Sequence, residues 1–179
     1  MSAASVLTGH RLQLTQLESD LSSGNLSHAY LFVGPDHVGK FSTAKWFAKK
    51  IMTKDAPPQE RERIEQQLDR LIHPDVLALD QLWMDDVCDD FDVIAQSSNI
   101  SQQHRAKAKV KTDVIGIDDV RVLQQRLNET GTSGHRLCLI KNVSRMRDEA
   151  ANAFLKTLEE PHPGTVFLLT AESEEAVLP

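Results

Sequence analysis

The sequence predicts an α/β fold in which helices cover both faces of a parallel sheet, giving three layers. Four short apolar runs carry this prediction, and none of them alternates with polar residues: 29–33, 76–79, 137–140 and 165–169. Strands that are buried on both faces have continuous apolar sequences of this kind. Segments with helical periodicity separate the runs, and such alternation is typical of a parallel sheet.

The first half of the chain is predicted to open with a short amphipathic helix from Arg11 to Ser22, which Gly24 ends. The first strand, Ala29–Val33, leads into a glycine loop. The helix after that loop has one apolar face, formed by Ala44, Phe47, Ala48 and Ile51. A polar helix follows, and its narrow apolar stripe consists of Ile64, Leu68 and Leu71. The pair His73-Pro74 is expected to stop it before the second strand.

In the second half, Asp118 is expected to cap a helix whose inward face carries Val120, Leu123 and Leu127. Asp148 and Glu149 suit the positive end of the last helix. The apolar face of that helix is predicted to comprise Ala150, Phe154 and Leu158, and Pro161 follows its end.

Residues 81–112 are predicted to form an irregular insertion, because they contain an acidic cluster followed by a basic one and no clear periodicity. The acidic cluster lacks the glycine and glutamate that a helix-loop-helix calcium site needs, so no metal site is predicted there. The basic stretch is expected to be an edge strand or a mobile loop, and a solvated surface is favoured there over a DNA contact.

The composition indicates a single soluble domain. The chain has 179 residues and a net charge of −6, so its surface as a whole repels nucleic acid, and a DNA contact would need a local basic patch. Two cysteines, Cys88 and Cys138, are expected to be free thiols in a reducing compartment. We find neither a secretory signal at the start of the chain nor an apolar run of about 18 residues, so a cytoplasmic location is expected.

A loop between the first strand and the second helix nearly matches the phosphate-binding pattern G-x-x-x-x-G-K-[ST]. Gly34, Val38, Gly39 and Lys40 fit it, but Phe41 stands where the pattern needs a hydroxyl to bind Mg²⁺. Ser42 lies one position later and so faces about 100° round the helix, which makes it a poor replacement. We therefore interpret the loop as a degenerate Walker A motif.

The third strand ends where nucleotide-hydrolysing folds place a metal-binding acid followed by a second carboxylate that activates water. Here Lys141 and Asn142 stand at those positions, so this segment is a degenerate Walker B motif. The loss of both groups predicts a scaffold without catalysis, and no catalytic residue and no metal ligand are assigned. Weak binding of ATP or phosphate by the loop is one alternative; the other is that its glycines serve only the tight turn. Phe41 would then fill space that a nucleotide needs.

Three blocks of sequence resemble the bacterial DNA polymerase III clamp loader: Ser27–Pro35, His73–Asp75 and above all Ala150–Pro161. The pattern is most similar to that of delta-prime subunits, because the gamma/tau motor subunits keep both the hydroxyl after the lysine and the acidic pair. The resemblance implies an AAA+ domain with strand order 5-1-4-3-2. It also implies that residues 1–179 are the N-terminal domain of a longer subunit, with the fifth strand, lid and collar lying beyond them.

The resemblance implies a non-catalytic stator that helps load the sliding clamp onto primed DNA, together with gamma/tau and delta subunits. No zinc is expected, since the segment where relatives carry a cysteine-rich module contains no cysteine. Asn152 and Lys156 share a helix face and are either an interaction surface or a solvated face. Two alternatives stay open: an active gamma/tau-type ATPase with atypical motifs, and a free-standing nucleotide-sensing or DNA-repair accessory module.

Overall fold

The fold is taken from a computed structural model, which describes residues 9–79, 82–83, 110–111, 114–129, 131 and 134–175. The helices are α1 (Arg11–Ser23), α2 (Lys40–Thr53), α3 (Pro58–Asp69), α4 (Ile117–Leu127) and α5 (Asp148–Glu159). The strands are β1 (Ala29–Val33), β2 (Val76–Leu79), β3 (Leu82–Trp83), β4 (Val110–Lys111), β5 (Arg136–Ile140) and β6 (Thr165–Ala171). A short 3₁₀ helix, Val143–Arg145, follows β5.

The main sheet has four strands in the order β1-β6-β5-β2, and every neighbouring pair is parallel. Strand β6 lies in the centre and is buried along its whole length. In the sequence-based numbering this order is 1-4-3-2, so the predicted order is confirmed for the four strands that the prediction placed within this chain.

Helices form a layer on each face of the sheet, and each layer encloses its own apolar core. On one face α1, α2 and α3 pack around Phe47, which is fully buried and meets the Tyr30 ring edge-on at 5.0 Å between centroids. On the other face α4 and α5 pack around Phe167, whose ring meets that of Phe154 edge-on at 5.5 Å. The three-layer α/β fold predicted from the sequence is therefore confirmed.

Strand β1 is less buried than its apolar sequence predicts. Among the described strands it pairs with β6 alone. Tyr30 and Phe32 pack against the core around Phe47, whereas Leu31 and Val33 lie on the opposite face and are each 40% exposed. Cover of this strand is therefore incomplete on one face, and a continuous apolar run does not distinguish an edge strand from a central one.

Two boundaries differ from the sequence-based prediction. Asp118 does not cap α4: the helix begins at Ile117 with Gly116 as N-cap, and Asp119 Oδ2 accepts the Gly116 N–H at 2.7 Å. The acidic residue that reaches the cap is the one at the third helical position, because only from there can a side chain fold back to the N-cap amide. Strand β6 also continues to Ala171, beyond the predicted end.

The predicted insertion at 81–112 is described only near its two ends, where β3 and β4 pair antiparallel. The acidic cluster, and the basic cluster apart from Lys111 of β4, lie outside the described residues. In the described part of the chain, no group of three or more histidine, cysteine or acidic side chains is arranged to hold a metal ion. None of the helices given above is both long and apolar enough to cross a bilayer.

Candidate phosphate-loop site

The phosphate-loop pattern lies at the carboxyl end of the parallel sheet, where ligands of open α/β folds usually bind. Strand β1 ends at Val33 beside Ala171 of β6, and the Gly34 N–H extends this pairing by donating to the Ala171 carbonyl at 3.3 Å. The loop then turns into α2. The chain therefore has the strand–loop–helix context that a phosphate-binding loop requires.

The turn into α2 depends on a left-handed backbone. Gly39 is the N-cap of α2 with φ 87°, a conformation that disfavours side chains. Its carbonyl accepts both the backbone N–H and the hydroxyl of Thr43, at 2.9 and 3.1 Å. The glycine thus has a structural role whether or not the loop binds an anion.

The lysine of the motif is folded back onto its own loop. Lys40 Nζ donates to the carbonyls of Gly34 and Pro35, the latter at 2.7 Å, and lies 4.0 Å from Asp36 Oδ1. Only 13% of the Lys40 side chain is exposed. The loop's own carbonyls therefore hold the ammonium that would otherwise contact a phosphate.

Two of the three residues that depart from the hydrolytic motifs meet in the structure. Phe41 is half-buried in the first turn of α2, and Lys141 follows the end of β5. The Lys141 ammonium lies 5.7 Å from the centroid of the Phe41 ring, within the range of a cation–π interaction. Ser42 is exposed and lines the same cleft. Positions far apart in the sequence are thus brought together.

Asn142 is held by its neighbours. Its backbone N–H donates to the buried Thr170 hydroxyl at 2.8 Å, and its side-chain amide donates to Glu172 Oε1 at 3.4 Å. Ser144 donates a further hydrogen bond to the Asn142 side-chain oxygen. The Asn142 side chain is a neutral amide and cannot act as a general base as a carboxylate can. Its hydrogen bonds instead hold the segment after β5 in place.

These residues enclose an open cleft of about 360 Å³. Its lining comprises Asp36, His37, Gly39, Lys40, Phe41, Ser42, Lys141, Asn142, Arg145, Thr170, Ala171 and Glu172. Of the predicted loop residues, Val38 and Gly34 lie outside this lining: Val38 is 38% exposed, and its carbonyl accepts a hydrogen bond from the His10 ring at 2.9 Å.

Among the residues of this region that sequence reasoning missed are His10, Arg145 and Glu172. Glu172 directly follows β6, so the rule that parallel strands meet ligands at their carboxyl ends could have identified it. Arg145 donates to the carbonyls of Lys141 and Leu79 at 2.7 and 3.0 Å, and so fixes the segment that carries Lys141. The hydrogen bond from His10 to the loop crosses 28 residues and has no sequence signal.

The predicted interaction face is separate from the cleft. Asn152 and Lys156 are both exposed on α5, and neither lines the cleft. On the inner side of the same helix, Gln124 of α4 donates to the Ala153 carbonyl and the Thr157 hydroxyl at 3.2 and 2.8 Å. The two helices are thereby joined, and Asn152 and Lys156 are left accessible on the outside.

Cys138 and His73 both have structural surroundings. Complete burial raises the pKa of the Cys138 thiol well above its ordinary range, so it is a core residue as predicted. His73 is 6% exposed, and its Nδ1 accepts the Asp75 N–H at 3.1 Å. Burial is the largest cause that lowers its pKa below the ordinary value.

A strand–loop–helix phosphate motif at the carboxyl end of a parallel β1-β6-β5-β2 sheet defines the P-loop class of α/β domains, in its AAA+ form. A solved structure supports the fold. The gamma subunit-related protein of DNA polymerase III from Thermotoga maritima superposes with a TM-score of 0.55 and 22% identity, over 92% of this chain and 42% of that one.

The chain belongs to the family described as DNA polymerase III, delta subunit, which matches residues 9–179. It is 28% identical to the delta' subunit of Bacillus subtilis over 165 residues, covering 90% of this chain and 41% of the relative. It is also 28% identical to the tau subunit of the same organism over 154 residues, 86% of this chain and 23% of the relative. The delta' subunit of Haemophilus influenzae is 40% identical over 65 residues, 36% of this chain and 20% of the relative.

The resemblance to clamp-loader subunits inferred from the sequence is thus confirmed at the level of the family. The chain spans less than half the length of each of these relatives.

Proposed function

We propose that this chain is the AAA+ domain of a delta-prime-like stator, a non-catalytic subunit of the DNA polymerase III clamp loader that acts in DNA replication. The observation that carries the proposal is the pair formed by Phe41 and Lys141. Where a hydrolytic site needs oxygen ligands for a divalent metal, this cleft holds an aromatic ring with an ammonium 5.7 Å from its centroid.

Hydrolysis of a nucleoside triphosphate also needs a group that orients the attacking water. Asn142 occupies the position expected for it, and its side chain is bonded to Glu172 and Ser144. The three substitutions together therefore remove the metal ligands and the water-orienting carboxylate. This combination favours a scaffold that kept the fold and lost the reaction.

The work of such a stator is assembly. It would hold a place in a ring with the gamma/tau and delta subunits, contact the sliding clamp, and meet primed DNA only through the complex, in the cytoplasm. The accessible face of α5 with Asn152 and Lys156 is the contact surface that we propose for a neighbouring subunit. It lies apart from the cleft, so assembly does not require a ligand there.

An active ATPase of the gamma/tau type is the second candidate, and one observation favours it. Two carboxylates, Asp36 and Glu172, line the cleft and could supply metal-binding oxygens from unusual positions. Asp36 is 67% exposed and lies near Lys40, and Glu172 accepts a hydrogen bond from Asn142. To bind a metal ion, the Asp36 carboxylate would have to move away from Lys40, and the Glu172 carboxylate would have to lose its hydrogen bond from Asn142.

Release of inorganic phosphate from Mg²⁺-ATP by the full-length protein separates the two candidates. We expect a rate no higher than that of the Lys40→Ala variant, with Lys54→Ala, an exposed lysine just beyond α2, as the matched control. Turnover that Lys40→Ala abolishes and Lys54→Ala retains would establish the ATPase and refute the stator.

A further inference from the structure

The residues around the phosphate loop do not fit a divalent metal ion. In P-loop proteins the metal ion is bound between two positions. One is the residue directly after the loop lysine, and the other is the residue directly after the strand that corresponds to β5. Here these are Phe41 and Lys141, which contact each other. A metal ion between them would meet an apolar ring and a like charge instead of oxygen donors.

The cleft nevertheless carries more cationic than acidic groups. Lys40, Lys141 and Arg145 line it, against the carboxylates of Asp36 and Glu172. This balance contrasts with the net charge of −6 for the whole chain. A concave site with an excess of cationic groups attracts small anions, whereas the acidic surface around it repels larger polyanions such as nucleic acid.

The position of Lys141 is fixed by its neighbours. Arg145 donates to the Lys141 carbonyl through Nη2 at 2.7 Å and through Nε at 3.1 Å, which anchors the backbone at the end of β5. The Phe41 ring lies beside the ammonium, and the Lys141 side chain is exposed to the cleft. The charge therefore lies at the cleft, beside the Phe41 ring, without being buried.

We propose that the Lys141 ammonium takes the place of the divalent metal, so that this cleft binds a phosphate or pyrophosphate group without Mg²⁺. Lys141 and the amides of the loop at the start of α2 would hold the anion. Lys40 would join them by exchanging the carbonyls of Gly34 and Pro35 for phosphate oxygens. Mg²⁺ would then compete with Lys141 for the anion and weaken binding.

Titration calorimetry of the full-length protein with inorganic pyrophosphate tests this inference. We expect saturable binding in the presence of EDTA, and weaker binding when Mg²⁺ is added. Lys141→Ala should reduce the affinity about tenfold, the scale of one charge-assisted contact. Lys54→Ala, which removes an exposed lysine outside the cleft, should leave the affinity unchanged.

A second variant tests the exchange of metal for lysine directly. The double substitution Phe41→Ser with Lys141→Asp restores an oxygen ligand on each side of the metal position. It should abolish pyrophosphate binding in EDTA and make binding depend on Mg²⁺. Circular dichroism melting of each variant identifies any that fails to fold, and a folded Lys141→Ala with reduced affinity is then sufficient support.

Two results would overturn the inference: no saturable binding in EDTA, or binding by the unmodified protein that requires Mg²⁺. Binding in EDTA that Lys141→Ala leaves intact would likewise refute the role of Lys141. The stator role would survive any of these results, because a stator needs no ligand in the cleft. Conversely, ATP turnover would refute the stator role. It would not decide the pyrophosphate proposal, which the titration in EDTA tests separately.

Discussion

Single side chains decide the chemistry of this domain. Phe41, Lys141 and Asn142 are readable from the sequence because their positions in two motifs are fixed by spacing. Their mutual arrangement is not readable, since the contact between Phe41 and Lys141 depends on which strands are neighbours of β6. Lys40 shows the same limit: the motif predicts a phosphate contact, and the structure shows bonds to Gly34 and Pro35.

His73 gives the fold a pH dependence whose sign follows from its surroundings. Burial is the main reason that its pKa is lowered, Arg63 adds to this effect, and Asp75 opposes it. The unfolded chain therefore takes up the proton more readily than the folded chain, so the free energy of unfolding should fall as the pH drops below about 6.5. The slope from one proton is at most about 1.4 kcal/mol per pH unit.

Urea unfolding at pH 7.5 and 5.5 measures this contribution against His73→Asn. Asparagine keeps an acceptor for the N–H two residues on, as in an Asx turn, but does not titrate. The variant should lose less stability than the unmodified protein between the two pH values. His28→Asn, at an exposed histidine, should behave like the unmodified protein, and an equal effect at both positions would contradict the role of His73.

Elements were predicted better than their ends. The sequence-based bounds of the first strand match β1 from Ala29 to Val33, because apolar runs and the glycine loop limit it on both sides. The start of α4 was misassigned, since Asp118 and Asp119 are adjacent and either could serve as a cap. An edge strand was one alternative for the basic stretch that contains Lys111, but its pairing with β3 was not predicted, because two residues are too few for a periodicity.

The cap of α4 can be tested with two neighbouring aspartates. Asp119→Ala removes the acceptor of the Gly116 N–H and should lower the free energy of unfolding by about 1 kcal/mol. Asp118→Ala is the matched control: it changes the charge of the same helical turn but loses only an exposed ion pair with Arg121. That pair contributes less than about 0.5 kcal/mol, so chemical denaturation should show a clear difference. Equal losses would show that Asp119 has no special role.

The architecture of the whole molecule follows from the alternation of apolar runs and helices, and the strand order required the resemblance to a known family. Periodicity alone cannot give the strand order of a parallel sheet, because several strand orders would bury the apolar residues of each strand equally well. The accessible face of α5 was a prediction from helical spacing, and the structure agrees that Asn152 and Lys156 are exposed.

Reconstitution with gamma/tau and delta subunits tests that face. Lys156→Glu reverses a charge on α5 and should reduce co-elution of the full-length protein with the complex about tenfold, as expected for a charge placed against a contact surface. Lys54→Glu makes the same change beyond α2, on the other layer of helices, and should have little effect. Failure of the unmodified protein to recover any clamp-loader subunit would favour a free-standing accessory module.

The contact between Phe41 and Lys141 couples the two positions energetically. Replacing them one at a time would give a protein with either an acid facing an aromatic ring or a hydroxyl facing an ammonium. Substitutions at contacting positions are not additive, so either single change is expected to gain little affinity for a metal ion. A variant library limited to single substitutions would therefore miss a metal-binding combination that needs both positions to change together.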